Sequence, residues 1–478
     1  MDLVQPHIAS LFGIQLPSSL ALFLTVALIV WLFRRDIREK PDVTGALWLP
    51  VLWLILGCSR SVSAWLNIFG LPVSGGASVE EGSPLDAWFF ICLIAVGACV
   101  LAKRQVRLSE VVSNNGWLIV FLLYCFISIA WSDFPFIALK RSIKILGHPI
   151  MALIVLTEPD PEEALIRLMK RCAYVVVPVS ILFIKYYPEL GRAYDPWTGE
   201  GMYTGINTNK NLLGADLLIL GYFFFWYWLQ IWRNERSTWR RNELRLIAGF
   251  LIGIWWLFSK AHSATSLTCV VIGILTVLFV GMRSENKRFI GTYMLTALVL
   301  VVVAEMAFGI SGRFSESLGR GSGMSGRTLI WTRLLEVQTS PILGTGFESF
   351  WLGDRPKLLE GLFFYSINEA HNGYLETYLT LGLVGVFLLV GLFVATFWKI
   401  RLELFRNFEW GRYRLGFLAA LVLYNWTEAP FKTLSPLWFA FYLVAMDYPQ
   451  TRFTTEESSV GTARSEGDME LAYVEEKP

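Results

Sequence analysis

The sequence predicts an all-α polytopic integral membrane protein, and three observations carry that prediction. Apolar residues make up 54% of the 478 positions and charged residues only 17%, where an ordinary soluble domain carries about 25% charged. The mean hydropathy is +0.50, with 20 Trp and 34 Phe among the large side chains. The apolar residues also fall in long runs rather than in a soluble helix pattern. A water-soluble globule of this size has too little interior to hide that surface, which excludes a cytosolic enzyme and a disordered scaffold together. The bilayer is therefore one partner. A net charge of +2 gives no footprint for nucleic acid.

Runs near the roughly 20 residues that cross a hydrocarbon core occur at 18–33, 45–57, 86–102, 115–131, 143–157, 172–187, 211–232, 246–258, 265–282, 289–309, 374–398, 415–426 and 436–448. Several are short, so about 11–13 transmembrane helices are expected. The basic stretches 34–40, 103–107, 167–171, 233–245, 283–288 and 399–414 read as short loops that fall on one side if these runs alternate, and that side is cytoplasmic by the positive-inside rule. The alternation puts the N-terminus and a large loop, 310–372, on the outer side. Four regions follow: a helix bundle over 1–309, the large outer loop 310–372, further transmembrane helices over 373–450, and a polar, acidic tail over 451–478 too poor in apolar residues to order itself. Residues 1–17 carry few cations and the first apolar run continues to Arg34 and Arg35, so no cleavable signal is expected.

Several chemistries lack their residues. The six Cys sit in or beside apolar runs and read as small core hydrophobes. With four His and no HExxH, a zinc site is not expected, nor is any other metal or cofactor. There is no P-loop. In Glu158-Pro159-Asp160-Pro161-Glu162-Glu163, the acids read as an N-cap and first-turn residues rather than as a metal motif.

Candidate functional residues are cations and a histidine on the outer side. Lys140, Arg141 and Lys144 lie at the outer end of a run. They read either as interfacial side chains that snorkel or as an anion site, with Arg141 best suited to fork onto phosphate. Lys260 and His262 occupy a Ser-rich hairpin that suits a polar cavity or a tight turn equally. In the large loop the glycine-rich stretch 319–326 is flexible and ends at Arg327. A helical pattern follows over 328–338, with Ser325 as its N-cap. That places Arg327 in the first turn, where the dipole and free N–H groups favour phosphate. Gly344-Thr345-Gly346-Phe347 reads as a turn. His371 opens the next span, sharing a face with Tyr374, Leu375 and Tyr378. There the dipole is expected to hold the imidazole neutral, the form a general base needs.

Three stretches together resemble the bacterial O-antigen ligase and polymerase superfamily (Wzy/WaaL-like), most nearly its exopolysaccharide polymerase, ExoQ-like branch. They are Ser325-Gly326-Arg327-Thr328-Leu329-Ile330-Trp331, Pro341-Ile342-Leu343-Gly344-Thr345-Gly346 and His371-Asn372-Gly373-Tyr374-Leu375-Glu376. Arg333 and Gly344 also fit an Arg-x10-Gly spacing of such polymerases. The resemblance implies a multi-pass protein of the bacterial inner membrane acting on the periplasmic face. It implies a repeat-unit polymerase that uses neither metal nor nucleotide, its donor an oligosaccharide on undecaprenyl diphosphate. A chain-length co-polymerase and export proteins are the expected partners. By position, Arg327 and His371 are the catalytic candidates. Arg327, Arg141, Lys260 and Arg333 are candidates to bind the diphosphate, and Tyr374, Glu376 and Glu348 to touch sugar. Two departures stand out: Lys260 is the one cation of the hairpin where ligases carry arginine, and Asn209-Lys210-Asn211 replaces a His-Lys-Asn pattern. Transfer of finished glycan to a lipid or protein acceptor, as by a ligase, and transport by a flippase are the alternatives.

Overall fold

The computed structural model describes residues 16–71, 82–194, 199, 201–282, 323–363 and 369–449. The expected span 289–309, the basic stretch 283–288, the glycines at 319–322 and the tail 451–478 lie outside the described residues. The chain divides into Met1–Asp447 and Tyr448–Pro478, and all that follows concerns the first unit.

The fold is all-α, as expected. Its helices are α1 (Ser18–Arg38), α2 (Trp48–Gly57), α3 (Val62–Ile68), α4 (Pro84–Lys103), α5 (Leu108–Asn114), α6 (Gly116–Ile127), α7 (Pro135–Ile145), α8 (Gly147–Leu156), α9 (Pro161–Tyr186) and α10 (Pro188–Gly191). After a two-stranded hairpin, β1 (Arg192–Tyr194) and β2 (Gly201–Tyr203), come α11 (Lys210–Arg233), α12 (Thr238–Ala261), α13 (Ala264–Val280), α14 (Gly323–Glu336), α15 (Arg355–Phe363), α16 (Gly373–Arg406), α17 (Phe408–Thr427) and α18 (Pro436–Ala445). Among the described residues four helices, α4, α11, α12 and α16, are long and apolar enough to cross a membrane, or up to six if two bent pairs each count as one span. Other runs of the sequence form shorter helices, or α1 and α9, which also carry charge. Along α16, Leu383, Phe387, Val390, Val394, Trp398, Leu402 and Phe405 are exposed at helical spacing, the stripe a lipid-facing helix shows. Cys58, Cys125, Cys172 and Cys269 are buried, but Cys92 and Cys99 are exposed on α4, so only the first four are core residues.

Charge organises one end of the bundle. Asp160 caps α9 as expected, its Oδ1 accepting from the Glu162 and Glu163 amides at 3.0 Å each. The stretch 167–171 is not a solvated loop, as the sequence suggested, but a buried part of α9. Arg167 pairs with Asp36, Glu39 and Glu163 at 2.8, 2.5 and 2.6 Å. Lys170 pairs with Glu243 at 2.6 Å and Arg171 with Asp36 at 2.8 Å. Buried charges persist only when paired in this way. Arg104 joins Glu158 at 2.5 Å, and Arg233 joins Glu409 at 2.6 Å. These links tie the stretches 34–40, 167–171 and 233–245 into one cluster, with 399–414 attached through Glu409. From Arg233 the 24 residues of α11 rise about 35 Å to Asn209, and from Glu409 the 20 residues of α17 rise about 30 Å to Glu428. The far ends of these helices thus stand a hydrocarbon thickness from the basic end.

α16 is broken at Gly382, where φ is 65° and ψ −166°. The segment 341–346 repairs the break. Thr345 and Gly346 donate their amides to the Leu379 and Thr380 carbonyls at 3.1 and 2.8 Å, and Leu383 donates to the Pro341 carbonyl at 2.9 Å. Every backbone group freed inside a low-dielectric region needs such a partner. The Gly344-Thr345-Gly346 turn expected from the sequence is this clip. A side chain at Gly382 would meet the Ile342 carbonyl at 2.1 Å. Gly382→Ala is therefore expected to cost about 1–3 kcal/mol for the positive φ alone, whereas Gly249→Ala meets nothing within 4 Å and leaves stability unchanged or higher. Thermal aggregation of the two variants in detergent checks this. Equal midpoints would contradict it.

Candidate active site

Three segments from distant parts of the chain converge at the end of the bundle opposite the basic cluster: α14, the residues just before α16, and the connection from α17 to α18. α14 is held by an apolar cluster in which its Ile330 and Leu334 pack with Phe350, Leu359, Ala370 and Leu379. Trp331 adds a hydrogen bond from Nε1 to the Ala370 carbonyl at 2.9 Å. Arg327 lies one turn before Trp331 on the same face. The start of α16 is set by Asn372, whose Oδ1 accepts from the Tyr374 and Leu375 amides at 3.0 and 3.1 Å. Gly373 donates to the Glu428 carbonyl at 3.0 Å. A side chain there would meet Asn425 Oδ1 at 1.8 Å, so glycine is what lets α16 dock on α17.

Glu428 joins the two residues the sequence singled out. Its Oε1 accepts from Arg327 Nη2 at 2.9 Å and its Oε2 lies 3.2 Å from His371 Nδ1. Arg327 Nη1 also donates to the Thr427 carbonyl at 2.6 Å, an unsatisfied group at the negative end of α17. His371 Nδ1 lies 3.0 Å from Glu369 Oε1, and Glu369 Oε2 accepts from Lys432 Nζ at 2.7 Å. The side chain of Glu428 is 9% exposed, against 26% for Arg327 and 30% for His371. The carboxylate is thus nearly dry while both its partners stay reachable. From Lys432 the network continues to Thr433, whose amide and hydroxyl donate to Glu348 Oε1 at 2.5 and 2.8 Å. Glu348 in turn holds Arg141, by a 3.8 Å ion pair and a hydrogen bond to its carbonyl.

These contacts correct one expectation and refine another. His371 is not held neutral by a helix dipole. It precedes the N-cap in a left-handed conformation with φ 47°, off the helix. Burial opposes its charge, but its hydrogen bonds to the Glu369 and Glu428 carboxylates outweigh that and raise its pKa to about 9. At Glu369, burial pushes upward and is outweighed by His371 and Lys432, which bring the pKa down to about 2. At pH 7 the unliganded site therefore holds an imidazolium between two carboxylates. Nor is Arg327 in a first turn. The helical register set by Ile330 and Leu334 extends back to Gly323, so Ser325 lies within the helix and Arg327 in its second turn.

Of the remaining candidates, Arg141 and Glu348 belong to the network. Glu376 is buried beneath it, accepting from Trp351 Nε1 at 2.6 Å and the Ala370 amide at 3.0 Å, and Tyr374 donates its hydroxyl to the Val422 carbonyl at 3.0 Å. Both support the His371 segment. Lys260 stands apart over the rings of Tyr203 and Trp256, each at 5.8 Å. Arg333 pairs with Glu336 at 2.8 Å on the surface of α14. Glu428, Glu369 and Lys432 had no place in the sequence reading. A trace of them was present, since Glu428 and Lys432 put both signs of charge into a short connection between two apolar runs.

A pocket of about 310 Å³ opens here, lined by Glu369, Glu428, Lys432, Asn209, Asn211 and Ser61 among others. Its mixed donors and acceptors suit sugar hydroxyls. Glu369, His371 and Glu428 present ligand atoms within 4.8 Å of one another, a trio able to hold a cation. Both carboxylates are already paired with Arg327 and Lys432, and the two fixed positive charges disfavour a dication between them.

Residues 247–390 match the family model described as O-antigen ligase. The chain is also 28% identical over 294 residues to the exopolysaccharide production protein ExoQ of Rhizobium meliloti (strain 1021), a match covering 59% of this chain and 64% of that protein. The chain thus spans somewhat less than two thirds of this relative's length. Arg327 and His371 fall inside the matched domain, and Glu428 and Lys432 beyond it. With the motifs at 325–331, 341–346 and 371–376, these matches make the chain similar to the O-antigen ligase and polymerase superfamily, with an ExoQ-like sequence.

Proposed function

We propose that this protein is a repeat-unit polymerase of an exopolysaccharide or O-antigen, joining oligosaccharides carried on undecaprenyl diphosphate by metal-independent glycosyl transfer. The observation that carries the reading is the bridge from Glu428 to Arg327 and His371. It joins the Arg327 guanidinium and the His371 imidazole through a carboxylate that lines one pocket, and this reading gives the guanidinium to phosphate and the imidazole to a proton. That pocket stands about 30 Å along the helices from the basic end. Since the basic end is cytoplasmic by the positive-inside rule, the pocket faces the periplasm of an inner-membrane protein.

The acceptor hydroxyl attacks the anomeric carbon as the bond to the diphosphate breaks, and the electron pair leaves with the diphosphate, inverting the centre. Two of the five guanidinium donors of Arg327 are committed to Glu428 and Thr427, which leaves others for the departing phosphate. Lys432 lines the same pocket and supplies a second positive charge, while Arg141 steadies the network through Glu348. His371 takes the hydroxyl proton on Nε2, its Nδ1 being held by the carboxylates. It must first lose the proton it carries at rest. A chain-length co-polymerase and export proteins are the partners this function implies. The domain's description favours one second reading, ligation of finished glycan to another acceptor.

With purified protein and a defined lipid-linked oligosaccharide, Arg327→Ala is expected to lower the rate on the order of 10²–10³-fold and His371→Ala roughly 10²–10⁴-fold. Near-wild-type polymer from either variant would sink the assignment. Because His371 must be neutral to act, kcat/KM should rise with pH toward its pKa of about 9. Glu369→Gln, which removes a charge that favours the imidazolium, should move that rise to lower pH. A flat profile between the neutral range and pH 9 would contradict the role. Chelation by EDTA should leave the rate unchanged, and a loss restored by added divalent cation would show that the Glu369–His371–Glu428 trio works as a metal site.

A further inference from the structure

α1 and α12 both pack against α9 and leave between them a groove of about 850 Å³, remote in sequence from Arg327 and His371. Its walls are apolar, with Leu24 and Leu28 from α1, Pro178 and Ile181 from α9, and Leu246 and Gly253 from α12. Gly249 also lines it, and a side chain added there would meet nothing within 4 Å. The end toward the buried ion cluster is different in kind. Arg35, Asn242 and Arg245 close the groove, and a second cavity of about 560 Å³ adjoins it, sharing Trp31 and Arg35 and walled by Arg34 and Arg38. Arg35 is committed to Glu39 and Glu243. Glu39, the one carboxylate lining either cavity among the described residues, is committed to Arg35 and Arg167. Arg34, Arg38 and Arg245 are exposed, and none of the three makes an ion pair among the described residues. Trp31, 56% exposed, sits at the junction, where an indole marks the level of lipid headgroups.

An apolar trench that ends in unpaired guanidiniums has the polarity of an amphiphile with an anionic head. We propose that it binds an anionic glycerophospholipid from the leaflet at the basic end, with its acyl chains along α9 and its phosphate among Arg34, Arg38 and Arg245. The charge complementarity selects the occupant. A zwitterionic lipid brings a cationic group that finds no free carboxylate in the lining, whereas an anionic headgroup leaves nothing uncompensated. Basic pockets between helices on a cytoplasmic face recognise phospholipid headgroups by this means.

Native mass spectrometry of the full-length protein in detergent tests the proposal, with dioleoyl phosphatidylglycerol and dioleoyl phosphatidylcholine titrated separately. The wild type should retain the anionic lipid preferentially. Each of Arg34→Gln, Arg38→Gln and Arg245→Gln should weaken that preference by about five-fold. Gly249→Leu, whose Cβ meets nothing within 4 Å and whose side chain takes up groove space, should reduce retention of both lipids while the protein stays monodisperse. Equal retention of the two lipids by the wild type would overturn the proposal. So would a preference that survives the arginine substitutions, or a groove closed by a second copy of the chain and seen as a lipid-free dimer.

Discussion

A nearly dry carboxylate with two oxygens can hold two cationic partners in fixed relation, and Glu428 does so for groups 101 and 57 residues away in sequence. Its position is determined from several directions. The Gly373 amide binds its carbonyl, and the Lys432–Glu369 pair anchors the following connection to the residue two before His371. An ionised carboxylate in this setting is stable only while its partners remain. The requirement therefore runs both ways, since Arg327 and His371 hold Glu428 as firmly as it holds them. The interrupted helix α16 serves the same end. With its break at Gly382 clipped by Thr345 and Gly346, the short first part of the helix carries Glu376 beneath the site and begins two residues after His371.

The opposite end meets the same constraint on a larger scale. Asp36, Glu39, Glu163 and Glu243 neutralise Arg35, Arg167, Lys170 and Arg171 inside the bundle, so the charge that orients the protein also locks α1, α9 and α12 together. α11 and α17 connect this end to the pocket. Their length places a guanidinium, an imidazole and two carboxylates about one hydrocarbon thickness from the basic face.

The membrane class, the turn at Gly344 and the cap at Asp160 were legible in the sequence, because each depends on local pattern, and short motifs singled out Arg327 and His371, which the fold brings to one carboxylate. What escaped depends on contacts between distant segments. Glu428, Glu369 and Lys432 look like ordinary loop charges until α17 is docked on α16. The protonation of His371 was misread for the same reason, since the dipole of its own helix was weighed without the carboxylates that other segments bring. The N-terminus of α14 was placed three residues late because a serine followed by glycine resembles a cap. Packing of Ile330 and Leu334 carries the helix back past it. The stretch 167–171 looked like a loop because its charges are dense, and only the facing acids of α1 and α12 explain its burial.

The most direct test of the central claim is the pattern of lipid-linked and exported glycans in a strain lacking the protein, complemented with wild-type protein or with Glu428→Ala. The account predicts single repeat units accumulating on the lipid carrier, and no long polymer, in both the uncomplemented and the Glu428→Ala strains. Wild-type polymer with Glu428→Ala would contradict the bridge as the organising contact. Long chains stranded on the carrier would contradict polymerisation and assign the site to ligation.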